Sequence, residues 1–201
     1  MFAWMREITF ERSLYLEKIM INPLVDIGPF RLGMCREEVE QTFLSLDHWR
    51  ANDGNSDNPS YIEMLFMREH FEYDSNDRVK FIQLINPNYS GRFHIPCLFQ
   101  AVDVFTTKVE NLIHTLSKEY PIAGDADPRT GCSFVIPELE LSFWREGIMN
   151  DEIINDPAFL ELSEENQELE ERYFYFTTVS IGAPGYFDFM KVYPAESLDK
   201  V

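Results

Sequence analysis

Basic residues are scarce in this sequence: 17 Lys and Arg stand against 35 Asp and Glu, a formal net charge of −18 over 201 residues. Such a chain repels nucleic acid and anionic lipid and attracts basic surfaces. The few basic residues form no patch, so DNA and RNA binding are disfavoured. Glycine is also sparse, and neither a Gly-x-Gly-x-x-Gly nor a Walker loop occurs, which weighs against nucleotide binding. Cys35, Cys97 and Cys132 are far apart and odd in number, which argues against a disulfide framework and for a reducing, cytoplasmic location. No apolar run approaches the roughly 18 residues of a spanning helix, so no membrane association is expected. The N-terminus lacks a basic n-region and is interrupted by Arg6, Glu7, Glu11 and Arg12, unlike a secretory signal.

Catalytic constellations are missing too. Of His48, His70, His94 and His114, only His94-x-x-Cys97 has metal-like spacing. It lacks the second pair that a zinc site with three or four protein ligands needs, and Cys97 reads as a small core residue at a strand start. There is no Gly-x-Ser-x-Gly and no cysteine in a nucleophile context. No catalytic residue, metal ligand or cofactor is expected.

What is present is a core. The hydrophobic fraction of 45%, with 14% aromatics, is enough to fold despite the charge. Residues 1–20 carry three charges of each sign, so residues 21–201 hold the whole −18. Residues 1–19 read either as an extension upstream of a start at Met20 or as an amphipathic helix using Trp4, Met5, Ile8, Tyr15 and Ile19.

A first half, 21–90, reads as a strand over 21–30 and a helix from Cys35 burying Cys35, Val39, Phe43 and Leu46. An exposed loop over 47–60, a strand over 61–67 and a hairpin follow, the hairpin turning at Asp74–Asp77. A second half, 91–201, repeats the order. A strand spans 98–105, and a helix capped by Thr106 or Thr107 follows it, Thr107 with Glu110 fitting a capping box. That helix carries the stripe Val109, Leu112, Ile113, Leu116 and Tyr120. A hairpin then turns at Pro137-Glu138, with Leu139, Leu141 and Phe143 inward and Glu138, Glu140 and Ser142 outward, and a last strand covers 173–181. Strand runs with one helix per half imply an α+β fold. Its sheet would be mostly antiparallel, built from two similar strand–helix–three-strand halves with helices on one face. The whole is expected to be one compact domain.

An insertion at 147–171 interrupts the second half. Asp151–Glu171 holds nine carboxylates and no Lys or Arg. Asp156-Pro157 starts a helix there, with Asp as cap and Pro at the first helical position. This segment is the expected contact for a basic protein partner. Phe159 and Leu160 would serve as apolar anchors, and Glu161, Glu164, Glu165, Glu168, Glu170 and Glu171 as the charged face. Two competing classes remain: a structural or regulatory interaction protein, able to homodimerise through a sheet edge, and a small-ligand-binding enzyme using a pocket near Trp144, Arg145, Tyr173 and Tyr175.

Ile27-Gly-Pro-Phe-Arg-Leu-Gly-Met-x-Arg-Glu-Glu-Val39 resembles a strand-to-helix opening of small bacterial α+β proteins. The lipoproteins of the outer-membrane barrel assembly machinery use a similar opening, but this chain lacks their lipobox cysteine and signal. The acidic two-module pattern with aromatic strands is also similar to immunity proteins of bacterial polymorphic-toxin systems. That resemblance implies a non-catalytic protein that neutralises a basic toxin domain by binding it directly.

Overall fold

A computed structural model describes residues 18–46, 61–87, 95–190 and 192–193. The fold is α+β, with two mostly antiparallel sheets around one main core. The first sheet begins with β1 (Ile19–Asn22), β2 (Asp26–Ile27) and β3 (Phe30–Arg31), a tight meander where the sequence suggested one strand. Pro23 and Leu24 make the break: the Val25 N–H donates to the Asn22 carbonyl at 3.0 Å, closing a turn. Ile19 lies in β1 rather than in a helix; residues 1–17 fall outside the described residues, as do His48, His94 and the loop read over 47–60.

Helix α1 (Arg36–Ser45) starts where the sequence placed it, burying Val39 and Phe43. Its first turn is closed by the Glu38 carboxylate, which accepts the Cys35 N–H at 2.7 Å. The next segment corrects the sequence reading. Tyr61–Leu65 is a short helix, α2, not a strand, and Leu65 and Phe66 are buried side by side rather than alternating. A 3-10 turn leads into β4 (Phe71–Tyr73), which pairs with β5 (Val79–Ile85). Asp74 shapes their turn by accepting the Asn76 and Arg78 N–H groups at 2.8 and 2.9 Å.

Strands β6 (Cys97–Phe99) and β7 (Val102–Asp103) form a hairpin in place of the single strand expected over 98–105. Gln100 and Ala101 turn it, both at positive φ (48° and 67°). β6 runs parallel to β1 and completes the first sheet in the order β3-β2-β1-β6-β7. Helix α3 (Val109–Leu116) buries Val109, Leu112, Ile113 and Leu116. Thr107 does not cap it: Lys108 holds the cap position, and the Thr107 hydroxyl donates to the Asp103 carbonyl at 2.7 Å.

The second sheet uses β8 (Ile122–Gly124), β9 (Ser133–Ile136), β10 (Leu141–Trp144), β11 (Thr178–Gly182) and β12 (Val192–Tyr193) in the order β12-β8-β9-β10-β11-β5-β4, with every pair antiparallel. β11 starts at Thr178, later than expected, because Arg172–Phe174 form a 3-10 turn. All five β11 residues are buried, as suits a strand covered on both faces. The core joins both sheets to α1 and α3, with the Phe30 ring 4.7–4.9 Å from those of Phe43, Phe66 and Phe71. Among the described residues no helix is long and apolar enough to cross a membrane.

Candidate functional site

The acidic segment between β10 and β11 folds on its own small core, in which Met149, Phe159 and Phe174 are buried against Ile154, Tyr173 and Tyr175. Local chemistry shapes each step. The Asn150 side chain accepts the Glu152 and Ile153 N–H groups at 3.0 and 2.9 Å. Asp156 caps α4 (Pro157–Leu160) by accepting the Ala158 N–H at 2.8 Å. The chain then breaks at Glu161–Ser163, and Ser163 caps a second helix, α5 (Glu164–Glu171). One helix was expected from Asp156. Two form, and Gln167 ties them: its Nε2 lies 3.1–3.3 Å from the carbonyls of Phe159 and Leu160, in the last turn of α4, and of Leu162 just beyond it.

This break decides which side chains face outward. Phe159 is only 7% exposed and packs in the segment's own core, whereas Leu160 is 60% exposed and Leu169 50%. Helix α5 buries none of its residues. Glu161, Glu164, Glu165, Glu168, Glu170 and Glu171 are all exposed, and none makes an ion pair among the described residues. A helix without a buried face is held by its ends, and like charges at i, i+4 such as Glu164 and Glu168 weaken it. Between Arg129 and Arg172 the single basic residue is Arg145, which is fully buried.

At the base of the segment, Lys108 bridges to it. Its Nζ lies 3.2 Å from Asp151 and 3.8 Å from the centroid of the Phe174 ring. Glu110 sits nearby on α3, its carboxyl pushed up chiefly by burial and also by the charge of Asp151. Arg145, read in sequence as lining a ligand pocket with Trp144, Tyr173 and Tyr175, spends its guanidinium on backbone carbonyls. The Tyr173 ring packs on Gly147, where a Cβ would come within 2.7 Å of it. An open groove lies elsewhere, beside β2 and β3.

Cys97 is buried at the start of β6, and burial pushes its thiol up, away from the reactive thiolate. Among the described residues no group of three or more His, Cys, Asp and Glu side chains is placed to hold a metal ion. Comparison with protein-family models, curated proteins and solved structures finds no match to this chain.

Proposed function

We propose that this protein is a non-catalytic acidic binder that neutralises a basic protein partner, in the manner of an immunity protein acting on a toxin domain. The observation that carries the reading is α5: an eight-residue helix with five exposed carboxylates, no buried side chain and no ion pair among the described residues. A surface held under self-repulsion gains stability when a cationic surface meets it, and its field speeds the encounter. Glu161, Glu164, Glu165, Glu168, Glu170 and Glu171 are the charged contacts, Leu160 is the exposed apolar one, and Phe159 fixes the helices from beneath. The location we infer is the cytoplasm.

The finer organisation belongs to the same reading. Two like halves, with helices on one face, are supported by the parallel pairing of β1 with β6 and by the helix that follows each meander. The separate small core of residues 149–175 supports treating 147–171 as an insertion.

The test is a pull-down with the product of the adjacent gene at low and high salt. Binding that is strong at low salt and falls steeply as salt rises is expected. Binding that is absent at low salt, or indifferent to ionic strength, overturns the electrostatic reading.

A further inference from the structure

The turn between β1 and β2 carries an unusual residue for its geometry. Pro23 presets the first corner, and Leu24 takes the second at φ 63°, a position that glycine normally fills. A bulky side chain in the left-handed region is an outlier and persists only where its surroundings impose it. They do so here through the Leu32 N–H, which donates to the Val25 carbonyl at 3.0 Å, and the Gly28 N–H, which donates to the Met20 carbonyl at 2.9 Å. The strained turn holds Leu24 and Val25 outward, 40% and 53% exposed.

Both residues wall an open groove of about 370 Å³, with Leu32 and Met34 as further apolar lining and Arg31 and Arg78 supplying guanidinium groups. Glu38, also at the groove, is engaged by the Cys35 N–H at 2.7 Å and lies 3.5 Å from Arg78. Acids outnumber bases two to one here, and the other surface arginines described have found carboxylates: Arg36 has Asp77, Arg68 has Glu40 and Glu63, Arg129 has Asp127, and Arg172 has Glu146. Arg31 forms no ion pair among the described residues. Arg31 and Arg78 both act on Glu38 and help to lower its pKa, so two guanidiniums share one carboxylate here. That surplus of positive charge beside outward-held leucine and valine calls for an anionic, apolar occupant.

We infer that this groove binds an acidic, leucine-bearing segment of a partner protein. Carboxylates meet Arg31 and Arg78, and an apolar side chain sits between Leu24–Val25 and Leu32–Met34. This contact is independent of the acidic face of α5 and of opposite sign, so either can fail without the other. A second copy of the chain is disfavoured as occupant, because two bodies of charge −18 repel.

The experiment is a titration of the full 15N-labelled chain with the capped peptide Glu-Leu-Glu-Leu-Glu, read by amide chemical shifts. Saturable shifts at residues 24, 25 and 31–34 are expected. The capped peptide Gln-Leu-Gln-Leu-Gln should bind about fivefold more weakly or worse, and Arg31→Glu should weaken the acidic peptide by at least as much. Leu24→Gly keeps the turn, since glycine accepts its φ, and should still lose affinity. Equal binding of the two peptides, shifts confined to other surfaces, or unchanged binding by Arg31→Glu overturns the inference. So do peptide-free shifts of these amides that grow with protein concentration, which would make a second copy the occupant.

Discussion

The Arg145 guanidinium donates its Nε–H to the Gly131 carbonyl at 2.8 Å, from a side chain with no exposed surface. Its remaining bonds reach Pro128 at 2.9 Å, Tyr173 at 3.2 Å and Met149 at 3.5 Å. One side chain thus ties the 125–131 loop, the start of the acidic segment and its return. Burial lowers its pKa from the ordinary value, with Glu110, Asp125 and Asp127 acting the other way, and a guanidinium stays charged through such shifts. Arg145→Met leaves these carbonyls unmatched and should cost about 2–4 kcal/mol in chemical denaturation. Arg145→Lys keeps the charge but lacks the planar fork, so it should recover less than half of that loss. A lysine variant as stable as the parent would show that charge alone suffices.

A second internal tie is carboxylate-based. Glu140 is buried in the left-handed conformation after the 3-10 turn at Pro137–Leu139, and its carboxylate accepts the Gly185 and Phe187 N–H groups. It anchors the loop that places Phe187 on Ala123 and Val135. Glu140→Ala should cost about 2–3 kcal/mol, since bonds to a charged acceptor are strong and the buried Phe187 N–H is left open. Hydrogen exchange should show the loss concentrated in residues 183–190. A cost spread evenly over the whole sheet would refute the latch.

Glu140 also marks where the sequence stops being legible. Alternation assigned it to a polar face with Glu138 and Ser142, and only the fold-back of the 183–190 loop buries it. The helix α3 was readable because four apolar residues repeat at helical spacing, and the β4–β5 turn because Asp and Asn carry their own turn chemistry. Three strands differ from the sequence reading, for two reasons. Residues 61–67 are too short for a period to show, while the turns at Leu24 and at Gln100-Ala101 place residues other than glycine at positive φ. The acidic segment was plain from composition. The inward side of Phe159 was not, because it depends on the helix breaking at Glu161–Ser163.

Carboxylates with shifted pKa tie stability to pH. Glu38 is held below the usual range by the Cys35 N–H, and Asp74 by the Arg78 N–H. A folded pKa below the unfolded one adds stability that is present above the unfolded value and is lost as pH falls through the folded one. Glu110 works in reverse: its raised pKa favours the fold below its unfolded pKa, and that share is lost as pH rises through the folded one. Stability should therefore drop as pH falls below about 4. Glu38→Gln and Asp74→Asn should each flatten that drop relative to the parent, whereas Glu110→Gln should steepen it. Denaturant midpoints measured from pH 7 to pH 3 decide this; parallel curves for all four proteins would rule it out.

Stability and binding should pull in opposite directions on α5. Glu168, Glu170 and Glu171 crowd the last turn, where the helix dipole already presents negative charge. Glu171→Lys places a cation there, three residues after Glu168, and should stabilise the helix by about 0.3–1 kcal/mol. Amide exchange over 164–171 should slow accordingly. If this face meets a basic partner, the same change removes one attraction and adds one repulsion, so affinity should fall while the helix firms. A helix kept acidic only for solubility would show the first effect without the second. That separation distinguishes a binding surface from a merely solvated one, because folding by itself would favour the lysine.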